Sequence, residues 1–563
     1  MTTLRQRRWQ AASTVAILTL VALVTISLQV ERTDACGGFF CQQVPIDQAG
    51  EQIIFRQDGD QVTAVVLIQY AGTAEDFSWV VPVPGIPDLS TGSDLVFSPL
   101  ELATRPQFNL EVTGEGCPIP FDDFPLSLSS PDASEGASDA DDGVEILQSL
   151  AVGPFDVQIV SSDDPEALAT WLEENEYDLT DRGQELIAPY VEDGMNFVAL
   201  RLRQDQGVGD LQPLIMRYTS TEPMIPIRLT AVAAEDNMGI IVWLLGEARA
   251  VPLNYLHVTP NYTRLDWYSG TTNAYASYQG LVTAAMDEAG GQGFATDFAG
   301  RFPDLLSQLP TVESLTDELI RLASVDGDAE FVAALFNGFV FGQDKILEIL
   351  RRVLPLPEGE GEFIYQVPDL LGDVFTADEL NTARSTIVTE LNTTEVDTLE
   401  ETLAVFDGDP YMTRMYTTLS PEEMTLDPCF SYNTELEDQR LDRNATMDVS
   451  CVNNLTHWTL TLGEGTGRDG ELVIEGTGTP PSFSGPPIEV LDQAAVWRTE
   501  TLRAVGAPEL DRETDFDIAQ VDDGSGGTGG GIFTLPAFCG NGAAAMLFMT
   551  MIGLHFMRNR RSQ

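Results

Sequence analysis

Lysine is almost missing from this chain. Of 563 residues only Lys345 carries an ε-amine, histidine occurs three times and cysteine six times. With His257, His457 and His555 as the only imidazoles, a His-rich zinc centre or a His-Glu-x-x-His protease is excluded. Lys345 follows Gln343-Asp344, so there is no phosphate-cradling P-loop, and no Gly-x-Ser-x-Gly elbow occurs. Basic residues are scarce overall: 29 against 88 acids leave a formal net charge of −59. A surface this acidic repels nucleic acid and anionic lipid, which removes both as partners. The simplest reading of the acidity is a well-solvated surface, and the single lysine reads as genome composition.

What is present begins with the two ends. Arg5, Arg7 and Arg8 precede an uncharged stretch, residues 11–30, and Thr33-Asp34-Ala35 then leads into Cys36-Gly-Gly-Phe-Phe-Cys41. A basic, then apolar, then small-residue order reads as a signal peptide cut before Cys36. The mature chain is therefore expected in an oxidising compartment. Near the other end, residues 522–531 form a Gly/Ser spacer before an apolar run at 537–557, closed by Arg558, Arg560 and Arg561. Its roughly 21 residues rise about 30 Å as a helix, enough to cross a bilayer. The trailing arginines would hold the C-terminus in the cytoplasm. The uninterrupted part, 543–557, is short, so a cleaved sorting tail is the variant reading.

Six cysteines suit a few staples rather than a disulfide scaffold, and they allow fifteen pairings. Cys36–Cys41 closes a tight loop that Gly37 and Gly38 permit, and Cys429–Cys451 is expected to tie a second. Lipidation of Cys36 wants an apolar residue three places earlier, where Thr33 stands, and redox work wants Cys-x-x-Cys spacing.

Between the ends the pattern alternates β, α, β. Ile53-Ile54-Phe55 and residues 62–70 flank Asp58-Gly59-Asp60, a hairpin signal. Residues 77–81 form another strand, which Pro82, Pro84 and Pro87 should stop. Further strands are expected near 155–160, 197–202, 214–218, 227–232 and 239–245, with a helix opening at Asp164-Pro165. From Phe294 to about Phe406 the period is helical, including a capping box at Thr376-Ala-Asp-Glu379. Ser420-Pro-Glu-Glu423 is read as the cap of a short helix. Strands resume at 458–462, 472–474 and 488–490. Gly465-Thr-Gly-Arg-Asp-Gly470 matches a dinucleotide fingerprint but opens onto a strand, so it reads as a hairpin loop.

The expected organisation is a signal peptide (1–35), a β-rich N-terminal region (36–125), an acidic disordered loop (126–143), a mixed α/β region (144–290), a helical region (291–405), a β-rich C-terminal region (406–514), a linker (515–531), a transmembrane or sorting helix (532–557) and a basic cytoplasmic tail (558–563). The fold class is α+β, with sandwich-like sheets at both ends of the ectodomain and a central helical segment.

Several stretches carry a resemblance. Besides the Cys36–Cys41 hexapeptide they are Asp76-Phe-Ser-Trp79 running into Pro82-Val-Pro84, Trp171-Leu172, Pro226-Ile-Arg-Leu-Thr-Ala-Val-Ala-Ala234, and Tyr411-Met-Thr-Arg414 through Met424-Thr-Leu-Asp-Pro428. From Cys36 to about Val490 the chain resembles the bacterial domain-of-unknown-function 2330 family. The resemblance implies an exported surface or periplasmic protein and brings no activity, cofactor or catalytic residue.

Candidate sites are few. Trp79 either packs in a core or lines a groove with Asp76 at its rim, and burial is the better reading of alternating aromatics. Arg228, alone in an apolar stretch, must find a carboxylate, which makes it structural more often than catalytic. Asp139, Asp141 and Asp142 are weak calcium candidates because the EF-hand spacing is missing. No other cofactor is indicated. The chain is thus expected to be an exported, C-terminally anchored envelope protein acting as a non-catalytic binding or structural module toward an extracellular or periplasmic partner. The competing class is an extracytoplasmic hydrolase working through a carboxylate pair.

Overall fold

The hairpin signal holds. Strand β1 (Asp47–Asp58) turns through Gly59 and Asp60 into β2 (Gln61–Ala71), and Gly59 takes the positive φ of +65° that a two-residue turn requires. The architecture is that of a computed structural model, which describes residues 47–71, 78–117, 145–175, 177, 181–203, 211–268, 270–302, 307–338, 340–357, 359–408, 410–478 and 493–521. Cys36, Cys41, Asp76, Asp139, Asp141, Asp142, the strand expected at 488–490 and both apolar ends lie outside these residues.

After the hairpin come β3 (Ser78–Val83), β4 (Asp88–Thr91), helix α1 (Phe97–Thr104) and β5 (Gln107–Gly114). Then follow β6 (Glu145–Val152), β7 (Phe155–Ser161), α2 (Pro165–Glu174), α3 (Asp181–Glu192), β8 (Asn196–Leu202) and β9 (Leu214–Thr219). Helix α2 starts as its sequence predicts, with Asp164 capping the Glu166 N–H and proline at the first turn. A single turn of helix, α4 (Ile227–Thr230), leads to β10 (Ala234–Gly246), β11 (Arg249–Pro252), β12 (Leu256–Pro260), α5 (Gly270–Ala289) and β13 (Gly293–Gly300).

Two expectations are corrected here. Residues 227–232 are a helical turn and a bend, because the Arg228 N–H and side chain are both claimed by Asp427 and leave no ladder to join. The Phe294 end of the helical region is strand β13, buried along its whole length and hydrogen-bonded into a sheet.

The helices proper are α6 (Val312–Ala323), α7 (Asp328–Phe336), α8 (Gln343–Val353), α9 (Pro368–Val374), α10 (Ala377–Leu391) and α11 (Asp397–Leu403). Thr376 and Glu379 make the reciprocal capping box at the start of α10. Between α10 and α11 the coil widens into a π turn, residues 392–396, where the Asp397 N–H reaches back five residues to the Asn392 carbonyl. The chain ends in β14 (Tyr411–Leu419), β15 (Phe430–Asn433), β16 (Asp442–Val452), β17 (Leu455–Leu462), β18 (Leu472–Thr477), β19 (Val496–Thr501), β20 (Glu509–Glu513) and β21 (Ala519–Val521). Ser420-Pro-Glu-Glu423 makes a turn, not a helix start, although Glu423 does accept the Ser420 N–H. The glycine-rich stretch 465–470 is the β17–β18 loop, as expected.

The fold is mixed α+β. Ten strands form one mixed sheet in the order β20-β19-β12-β13-β14-β10-β1-β2-β9-β4, so the N-terminal hairpin sits against strands from the middle and end of the chain. A four-stranded antiparallel sheet, β3-β8-β7-β6, lies over it. Trp79, Val81, Val157 and Val198 on one face of that small sheet share a core with Ile53, Phe55, Ala64 and Val242 of the large one. Val80, Val160, Phe197 and Ala199 on its other face pack on Leu168, Trp171, Ile187 and Tyr190 of α2 and α3. Burial on both faces explains the unbroken apolar run of β3. Pro82, expected to end that strand, stays in it opposite Phe197, because β3 is an edge strand with a free side for a missing N–H.

A third sheet carries β5 parallel to β16, followed by β17 and β18. The parallel register sets Gly114 beside Val449 and brings Cys117 to Cys451, with Cα atoms 5.0 Å apart in a disulfide. The expected Cys429–Cys451 pairing is therefore corrected. Cys429 is a free thiol whose backbone forms an isolated antiparallel bridge with Met224, away from the sheet that holds Cys451. Among the described residues no helix is long and apolar enough to cross a membrane.

Candidate functional site

Alternation along β1 turns Glu51, Ile53 and Phe55 toward the small sheet, where their outward neighbours would meet the other side. Ala64 and Val66 of β2, Met216 and Tyr218 of β9, and Trp79 of β3 complete the walls of a cavity of about 220 Å³. Met195, Met224 and Leu229 close it. That is larger than the roughly 150 Å³ void that admits a benzene ring. Thioether side chains let such a wall adjust to different shapes.

Glu51 is the one buried acid in this wall. It is 5% exposed, and its Oε2 has no hydrogen-bond partner. Its neighbours across the ladder are Ile68 and Ile240, which offer no side-chain donor. Burial pushes its carboxyl up to about 7, so near neutrality it both donates and accepts hydrogen bonds. At the margin Cys429 is half-buried, and burial with Glu222 and Asp427 nearby pushes its thiol up to about 11. A thiol held protonated is a poor nucleophile.

Of the groove residues expected from sequence, Trp79 is both buried and part of the cavity wall. Arg228 is not. Its Nε donates to Asp427 Oδ2 at 2.7 Å, its backbone N–H donates to Asp427 Oδ1 at 3.0 Å, and its guanidinium lies 4.4 Å from the centre of the Tyr190 ring. Tyr190 donates to the same carboxylate at 2.8 Å. Two stretches of the resemblance, one around Arg228 and one around Asp427, thus meet as a structural clamp. It positions α4, which supplies Leu229 to the cavity. Glu51 was missed; its only signal is an acid at the core-facing phase of an alternating strand.

A second, more polar cavity of about 430 Å³ lies where the helical region meets β4, the segment leading into β9 and the β6–β7 turn. Lys345 of α8 reaches into it and donates to Asp94 Oδ1 at 2.7 Å and to Glu395 Oε1 at 3.1 Å. The two carboxylates more than offset its burial and hold the ammonium charged. Glu395, 2% exposed on the π turn, is pushed up to about 6 by burial against the opposing pull of Lys345. Its Oε2 has no partner. In the sequence Lys345 stands out as an oddity of composition and rules out a P-loop, and nothing there points to a cavity.

A third cluster of charge is closed. Asp297 of β13 accepts from Arg414 and Tyr278, and Arg414 donates to Tyr275 at 3.0 Å. Arg443 donates to the Asp297 carbonyl at 2.9 Å. All three charged groups are buried and face neither cavity, so this knot ties β13, β14 and α5 together. Among the described residues no set of three or more His, Cys, Asp and Glu side chains is placed to hold a metal.

Residues 31–314 match the model of a family described as an uncharacterized protein conserved in bacteria (DUF2330). No curated protein and no solved structure matches the chain. The matched stretch contains Glu51, Trp79 and Arg228, whereas Lys345, Glu395 and Asp427 lie beyond it.

Proposed function

The chain belongs to the DUF2330 family, and from that premise we propose that it is an exported envelope protein, held by its C-terminal apolar segment, whose ectodomain binds a small ligand between its two sheets. The observation that carries this reading is the largely apolar cavity with one buried carboxyl, Glu51, whose Oε2 has no partner. A wall of this kind suits a compact, largely apolar molecule bearing one hydrogen-bonding head group, a hydroxyl, amide or amine. Glu51 fixes the head group and the methionines, Phe55 and Trp79 surround the rest. Binding is favoured over hydrolysis because carboxylate-pair chemistry needs two acids with separated roles flanking one bond. One pair of acids among the described residues, Asp94 and Glu395, is instead clamped on one ammonium.

The test uses the chain purified from its envelope. Native mass spectrometry should show a bound small molecule that organic extraction removes. Thermal shift with the extract should raise the Tm of wild type. Ala64→Phe, which fills the cavity, should abolish that rise while folding normally. An extract that stabilises the filled variant equally well overturns the reading.

A further inference from the structure

The polar cavity at Lys345 is separate from the inter-sheet site and has its own chemistry. Its wall is rich in hydroxyls, from Ser90, Thr91, Thr393 and Thr398, with Gln212 beside them. Most charges around it are already answered. Arg217 donates to Glu401 at 2.6 Å, Arg352 pairs with Glu390, and Lys345 bridges Asp94 and Glu395. Gln212 is tied to the Thr394 carbonyl at 2.7 Å. Among the described residues Arg203 and Asp397 line it exposed and without an ion pair, and the buried polar atom of this wall left without a partner is Glu395 Oε2.

An orphaned carboxylate oxygen at that depth is costly unless something fills its place. The backbone reinforces the point. Glu395 sits on a π turn that interrupts an otherwise continuous helix, and such turns recur at functional sites because they expose groups a regular helix would hide. Thr394 also donates to Glu395 Oε1, at 3.2 Å. Oε1 is thus served from within the fold, while Oε2 is buried and unpartnered on a residue that lines a polar space large enough for a ligand.

We propose that this cavity binds a small hydroxylated ligand carrying a protonated amine, whose ammonium docks on Glu395 Oε2 and whose hydroxyls engage the threonine-lined wall. A cation suits the site because the five acids around it (Asp94, Glu390, Glu395, Asp397 and Glu401) face four bases (Lys345, Arg203, Arg217 and Arg352). The strongly acidic chain would also steer a cation toward it. Lys345 acts as a positioning residue, holding Glu395 by one oxygen so that the other is left for the ligand.

The probes are glucosamine and its neutral isostere glucose, titrated calorimetrically into the full chain at pH 7 and physiological salt. Glucosamine should bind at a single site, at least tenfold more tightly than glucose. Glu395→Gln should weaken it at least tenfold. Thr393→Trp, which crowds the entrance without touching the ion pairs, should do the same while leaving the Tm unchanged. At pH 5 the amine is more fully charged but the Glu395 carboxyl is largely neutral, so binding should weaken, and unchanged or tighter binding there would overturn the proposal. Equal affinity for glucose, no saturable heat from glucosamine, or glucosamine binding that both variants retain would each overturn the proposal.

Discussion

In the inter-sheet cavity Glu51 has apolar neighbours across the ladder and one oxygen without a partner, whereas across the fold Glu395 has an ammonium on one oxygen and nothing on the other. Both carboxyls are buried and both are pushed upward, to about 7 and about 6. The difference is the work of Lys345. Burial acts alone on Glu51, while at Glu395 a neighbouring positive charge takes back part of the shift. An acid left to itself in an apolar wall is poised to share a proton with a head group. An acid kept ionised by a fixed ammonium is poised to receive a second cation.

The comparison breaks most completely at Lys345. Replacing it by methionine leaves Asp94 and Glu395 facing one another without their bridge, and removal of one partner from a buried ion pair costs about 3–5 kcal/mol. Chemical denaturation should show that loss in full at pH 7 and a smaller one below pH 5, where Glu395 is neutral. A variant as stable as wild type at pH 7 would mean the bridge is not formed.

The next effect has the opposite sign. The unfolded chain loses the Glu51 proton near 4.5 and the folded chain near 7, so stability falls as pH rises across that window and levels off above it. The full penalty is about 3 kcal/mol. Glu51→Leu should therefore raise stability at pH 8 by an amount approaching that figure, with little gain at pH 4. Denaturation midpoints at the two pH values check it; equal gains at both would show that the acid is not buried.

The smallest change separates cavity from scaffold. Thr376→Ala removes the cap of α10, far along the helix from the π turn, and should cost about 1 kcal/mol. Glucosamine affinity should not change, because the cap touches neither cavity. A parallel loss of affinity would mean that fraying of α10 spreads to Glu395.

Much of the local structure was legible because it is set by neighbours in sequence. Gly59 turns a hairpin, Asp164-Pro165 opens a helix and Thr376 with Glu379 closes a capping box, each within a few residues. The expectations that failed were decided by distant partners. The apolar residues 227–232 looked like a strand, yet Asp427, 199 residues on, fixes them as a helical turn. Cys429 and Cys451 looked like partners because they are near in sequence, while the parallel pairing of β5 with β16 delivers Cys117 from a separation of 334. Need for a carboxylate was readable at Arg228, but not which of 88 acids supplies it. Glu51 and Glu395 were hidden in that same crowd. Burial, which no composition reveals, sets them apart.

The bond from Cys117 to Cys451 spans more than half of the polypeptide. A protease that nicks the backbone once anywhere between those positions would produce two fragments still covalently joined. On electrophoresis they would run as a single band without reductant and separate only when a thiol is added. A molecule tethered in this way tolerates being cut in the loops of its middle third without shedding either half.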